Sequence, residues 1–170
     1  MSKKKAGIVC SVTAIIAIIT TQYTDQVKVS KQGLELIGNS ESCRRDPYYC
    51  PANVLTVGVG STTGKIDPSK IYSDSEIAER WVKDIMSAQD CVEKYANGRK
   101  MKQGQYDTTV SITFNAGCGR MQKSTMFKLF RQGEFIKGCN EFPRWVYGGG
   151  KVLPGLVIRR EAEKKLCLSS

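Results

Sequence analysis

The chain has 170 residues, seven cysteines, no histidine, and a net charge of +10 from 26 Lys and Arg against 16 Asp and Glu. That length is one globular domain with room for a short appendage. Without histidine there is no Ser-His-Asp triad, no Cys-His dyad and no histidine-containing zinc site, so acid–base work falls to carboxylates, thiols, tyrosines or lysines. The charge suits a polyanionic partner (nucleic acid, an anionic membrane or an acidic cell-wall polymer) and equally a basic surface kept soluble by its charge.

Lys3, Lys4 and Lys5 precede residues 6–19, which carry no charged side chain. A basic stretch before an apolar one is an export signal, with the lysines left on the cytoplasmic side. Extended to residue 21 the run makes a helix of about 24 Å, short of the roughly 30 Å of a bilayer core. Gly7, Ser11 and Thr13 dilute it further. A weak, uncleaved membrane anchor over residues 1–25 is the expectation, with a cleaved signal peptide as the competitor. Either way the domain from residue 26 reaches an oxidising compartment, where disulfides form.

Ser30 can cap a short helix over residues 33–40. Residues 54–59 alternate as a strand, with glycines at 58, 60 and 64 marking a hairpin after it. Ser73 or Asp74 starts the clearest helix, with Ile77, Trp81, Val82, Ile85 and Met86 on one face. From Gln103 onward the signals are helical, over residues 106–116, 124–131, 134–146 and 156–168. A small early sheet followed by helices reads as an α+β fold, with an N-terminal lobe to about residue 73, a connecting helix over 74–97 and a helical lobe beyond.

The densest chemistry lies in Glu41-Ser-Cys43-Arg44-Arg45-Asp46-Pro47-Tyr48-Tyr49-Cys50-Pro51, followed by a strand carrying Thr56. On residue types alone, a disulfide-closed surface loop with solvated charges accounts for it as well as a catalytic site does. The glycine-rich stretch over 60–65 has the wrong spacing for a phosphate loop and reads as a turn.

Residues 33–64 resemble the phage-type lysozyme family of glycoside hydrolases, whose signature is Glu, eight residues, Asp or Cys, five residues, Thr. Here it is Glu41, Cys50 and Thr56. Thr113-Phe-Asn-Ala-Gly-Cys118, Phe142-Pro-Arg-Trp145 with the glycines at 148–150, and Gly155-Leu-Val-Ile-Arg159-Arg160-Glu161 continue the likeness over residues 30–168. The weak anchor together with Cys10, Cys43 and Cys50 resembles the signal-anchor-release endolysins, in which the second catalytic position is a cysteine and activation is a disulfide swap.

The resemblance implies a lysozyme-like fold and cleavage of the β-1,4 bonds of peptidoglycan, with Glu41 as general acid, Cys50 in the place of a water-activating aspartate and Thr56 holding water or sugar. Glu35, six residues earlier, falls outside the signature and is expected on the surface. Arg44 and Arg45 are candidate substrate-binding residues. The resemblance further implies a Cys43–Cys50 disulfide while residues 6–21 sit in the host inner membrane, N-terminus in and domain facing the periplasm. After release, a Cys10–Cys43 bond forms and Cys50 is freed. Cys91, Cys118, Cys139 and Cys167 are expected to form two structural disulfides, with Cys118–Cys139 and Cys91–Cys167 preferred among three possible pairings. No metal, organic cofactor or nucleic-acid partner is expected, and a monomer is. Two other readings stay open: a lytic transglycosylase on the same substrate, and a non-enzymatic cationic binder of wall or membrane.

Overall fold

The computed structural model describes residues 7–170, so Lys3, Lys4, Lys5 and the first residue of the apolar run lie outside the described residues. The rest of that run does not stand apart as an anchor. It forms helix α1, Val12–Gln22, capped by the Ser11 side chain, which accepts the Ala14 N–H at 3.3 Å. Ile15, Ile16 and Ile19 are buried where α1 packs against α2 (Lys31–Gly38) and α3 (Asp74–Tyr95). Burying each isoleucine contributes about 1.5–3 kcal/mol, a stabilisation that lipid would also supply. Among the described residues, no helix is long and apolar enough to cross a membrane.

Helix α2 is held at its start by α4 (Gln103–Ala116). Ser30 caps α2 by accepting the Gly33 N–H at 3.1 Å, while its own N–H and hydroxyl go to the buried Asp107 carboxylate. Gly33 is needed at this crossing, because a β-carbon there would stand 2.6 Å from Val29 and 2.7 Å from Asp107.

The sheet differs from the expected arrangement. The partner of β2 (Leu55–Val59) is not a later strand but β1, Cys43–Tyr49, which precedes it and pairs antiparallel, with Cys43 opposite Val59 and Tyr48 opposite Thr56. Three charged residues and Pro47 hide β1 from a propensity reading. The proline is tolerated because it falls where the register shifts between Arg44 and Tyr48. A turn over residues 50–53 closes the hairpin, with Asn53 in the left-handed region at φ +59° and its N–H on the Cys50 carbonyl at 2.8 Å.

Helix α3 begins with a capping box in which Ser73 and Glu76 exchange side-chain to backbone bonds. Its expected apolar face, Ile77, Trp81, Val82 and Ile85, is buried. The Lys70 ammonium, helped by the Ser73 N–H, holds the Glu76 carboxyl down at about 2. Because the folded pKa is depressed, this contribution is complete above the ordinary carboxylate range and is lost as pH falls through about 2.

The helical lobe continues with α5 (Cys118–Met121), α6 (Thr125–Arg131), α7 (Phe135–Cys139), a single 3-10 turn at Phe142–Arg144, the small hairpin of β3 (Tyr147–Gly148) and β4 (Lys151–Val152), and α8 (Pro154–Leu168). The helix expected over 134–146 is thus broken. Pro143 has no N–H to give the Cys139 carbonyl four residues back, so the α-helix stops. The four cysteines pair as Cys91–Cys118 and Cys139–Cys167, not as preferred from the sequence. Packing of α3 on α4 brings the last turns of α3 to the start of α5, and α7 lies on α8.

Replacing Ser73 by Ala should lower the unfolding free energy by about 1 kcal/mol in a denaturant titration. An NMR titration should find Glu76 ionised down to a pH of about 2.

Candidate active site

Glu41 follows α2 after a two-residue link, and its N–H donates to the Gly38 carbonyl at 3.2 Å. Its Oε1 accepts a hydrogen bond from Arg159 Nη1 of α8 at 2.8 Å, which fixes the carboxylate's direction while leaving 22% of the side chain exposed. Arg159 is itself anchored. Its Nε donates to Glu163 Oε1 at 3.2 Å, and Ser111 of α4 donates to the same oxygen at 2.6 Å. Arg160 pairs with the other Glu163 oxygen, bonds Asn115 and reaches the Trp145 carbonyl at 3.1 Å. Glu163 is fully buried, and the group closes with two guanidinium charges on two carboxylates.

Glu41 stands between two hollows. One, of about 630 Å³, is walled by Leu36, Asn115, Leu156, Ile158 and Arg159. The other, of about 250 Å³, lies between Gly60, Thr62, Asp84, Thr113 and Phe114. Gly60 joins them. It has φ +67°, and a β-carbon there would come 3.0 Å from Glu41 Oε2, so the end of β2 approaches the carboxylate only because this residue is glycine.

Cys50 and Thr56 flank the hairpin turn. Cys50 is half-buried and its thiol is free, whereas Thr56 is buried and donates to the Val54 carbonyl at 2.9 Å. The Val54 N–H above all, with the Ala52 N–H and the Thr56 hydroxyl, holds the Cys50 thiol below its ordinary range against the opposing effect of desolvation. Tyr48, directly across from Thr56, lies in the fields of both Glu41 and Cys50, although burial is the main cause pushing its phenol up. The structure therefore gathers Glu41, Cys50 and Thr56 around one strand pair, with Tyr48 among them.

Arg44 and Arg45 are each engaged in an ion pair within the fold. Arg44 is paired with Asp46 and lies over the Tyr48 ring, with its guanidinium 4.6 Å from the centroid. Arg45 pairs with Asp74 at 2.6 Å, joining β1 to the start of α3. Glu35 is exposed beside Lys31. Cys10 is bonded to Cys43, which leaves Cys50 as the only free thiol among the described residues. Arg159, Glu163, Asn115 and Tyr48 are the site residues that sequence reasoning missed as functional. The available signal was three charged positions, 159, 160 and 163, on the face that α8 must bury.

The profile of the phage lysozyme family matches residues 38–163. The chain belongs to that family. It is similar to a SAR-endolysin of Haemophilus phage HP1 (strain HP1c1), at 39% identity over 99% of each chain. Among solved structures it is similar to the active form of the P1 phage endolysin Lyz, with a TM-score of 0.89 and 36% identity over 96% of this chain and 97% of that one. The secreted inactive form of the same P1 protein matches with a TM-score of 0.60 and 38% identity over 83% of this chain and 96% of that one. The fold is lysozyme-like, as expected, and the chain is an enzyme of the lysozyme class.

Two variants probe the assembled site. Thr56→Val should raise the pKa of the Cys50 thiol, read as a shift to higher pH in the rate of alkylation. Arg159→Ala should cost about 3–5 kcal/mol of stability, because it leaves the buried Glu163 short of a partner; a denaturant titration measures it.

Proposed function

We propose that this endolysin hydrolyses the β-1,4 bond between N-acetylmuramic acid and N-acetylglucosamine in host peptidoglycan and so causes lysis. The observation that carries the reading is the Glu41 carboxylate, aimed by a buried arginine into the cleft beside Gly60. Glu41 protonates the leaving glycosidic oxygen as an oxocarbenium-like transition state develops. Cys50, its thiol held low by hydrogen bonds, and Thr56 orient the incoming water. Asn115 and the hollow along α8 receive the glycan.

The enzyme is first held in the inner membrane by residues 6–21, with a Cys43–Cys50 disulfide, and gains activity when that segment leaves the bilayer and Cys10 takes Cys43. Strand geometry supports this latch. Cys43 begins β1 and Cys50 follows its last residue. Discounting the two extra residues at the register shift, five steps along the strand separate their Cα atoms by roughly 16 Å, against about 4.4–6.8 Å in a disulfide. A Cys43–Cys50 bond therefore excludes the present hairpin, and with it the donors around Cys50 and the pairing of Tyr48 with Thr56. The same three isoleucines of α1 that would face lipid are buried in the domain here, so leaving the membrane does not leave them in water.

Glu41→Gln should lower muropeptide release from purified peptidoglycan by about 10²- to 10⁴-fold with the fold intact. Undiminished cleavage by that variant would overturn the assignment. Cys10→Ser should give a folded protein that cuts glycan only after mild reduction, and full activity without reductant would refute the latch while leaving the glycosidase standing.

A further inference from the structure

Residues 8–10 run antiparallel along the edge of β1 that β2 leaves open. The Arg45 N–H donates to the Ile8 carbonyl at 2.7 Å, the Cys10 N–H donates to the Cys43 carbonyl at 3.1 Å, and Val9 is bridged to Arg44. Side-chain burial contributes little to this docking, since Ile8 and Val9 are 42% and 75% exposed. Besides the Cys10–Cys43 disulfide, the segment is held by backbone bonds and by the Asp46 side chain. Its Oδ1 accepts the Ile8 N–H at 2.6 Å, and its Oδ2 is paired with Arg44. Arg44 is confined on both sides. Its guanidinium covers the Tyr48 ring and leaves no room for a β-carbon at residue 7, a position filled by glycine.

The activating step proposed above is an exchange between isomers. The Cys10 thiolate attacks Cys43; the Cys43–Cys50 bond breaks as the Cys10–Cys43 bond forms. Cys10 has given up one proton, and Cys50 leaves as a thiolate able to take one up. No electrons are gained or lost, so contacts present in one isomer and absent from the other decide which predominates. The edge formed by residues 8–10 is such a contact, because it needs both a released segment and an intact β1.

We infer that Asp46, braced by Arg44, is a positioning residue that receives residues 8–10 as an edge strand and thereby selects the Cys10–Cys43 isomer. This rests on the latch reading. A hydrogen bond to a carboxylate is among the stronger kinds, and its loss is expected to move such an equilibrium about tenfold or more.

The test uses the full chain, equilibrated with catalytic reduced and oxidised glutathione, acid-quenched, and mapped for disulfide-linked peptides by mass spectrometry. Asp46→Ala, which removes the acceptor altogether, should lower the ratio of Cys10–Cys43 to Cys43–Cys50 about tenfold or more. In the isolated Cys10–Cys43 isomer of that variant, the Ile8 and Cys10 amides should exchange hydrogen faster while α3 and α4 exchange as before. An unmoved ratio overturns the inference, and so does unchanged exchange at Ile8. If the Cys43–Cys50 isomer forms in neither protein even when the chain is inserted in phospholipid vesicles, the latch reading falls and isomer selection falls with it. If both isomers form and the ratio does not move, only the role of Asp46 is lost.

Discussion

Arg159 is shared between two carboxylates, and that sharing ties the catalytic position to the core. On one side its guanidinium meets Glu41 at the edge of the cleft, and on the other it meets Glu163, which has no exposure at all. A buried carboxylate without partners is costly, so Glu163 requires both Arg159 and Arg160. Those two arginines then commit α8 to α4 through Ser111 and Asn115, and to the preceding turn through the Trp145 carbonyl. The direction of the Glu41 carboxylate is thus a by-product of charge balance inside the helical lobe. Nothing in the small N-terminal lobe could fix it as firmly, because that lobe is one helix turning into one bulged hairpin.

The hairpin is the opposite kind of structure. It has two strands, a proline at its irregularity and a covalent tie at one end to a segment from the chain start. Isolated two-stranded sheets are marginal in water, so this one depends on what is laid against it. Here that is α3 on one face, reached through Arg45 and Asp74, and residues 8–10 on one edge. The cysteine and threonine of the signature sit at its turn, on the least self-sufficient part of the molecule. The latch proposed above therefore acts on an element that cannot stand alone.

Much of this was legible beforehand. The spacing of Glu41, Cys50 and Thr56 pointed to the family, and the capped amphipathic pattern from Ser73 identified α3. What escaped was decided by three-dimensional packing. Strand β1 reads as a loop because Arg44, Arg45 and Asp46 are polar, yet each is satisfied by a partner that only the fold supplies, from Asp74 to the Ile8 N–H. The cysteine pairs of the helical lobe depend on which helices touch, and spacing carries no information about that. The apolar run at the start was read for its length and composition alone, whereas its final surroundings depend on whether a bilayer or α2 and α3 are at hand. Arg159 belongs to the motif that carries the family likeness, yet its link to Glu41 depends on the burial that α8 gives it.

The thiol at position 50 has one more consequence. It is partly exposed and unpaired, and hydrogen bonds of the turn, that from the Val54 N–H first, draw its pKa below the ordinary thiol range. Those are the properties that make a cysteine prone to sulfenic acid and to mixed-disulfide capping. An aspartate in the same place would be chemically inert. The free thiol therefore makes position 50 the place where an oxidant would act on the proposed chemistry.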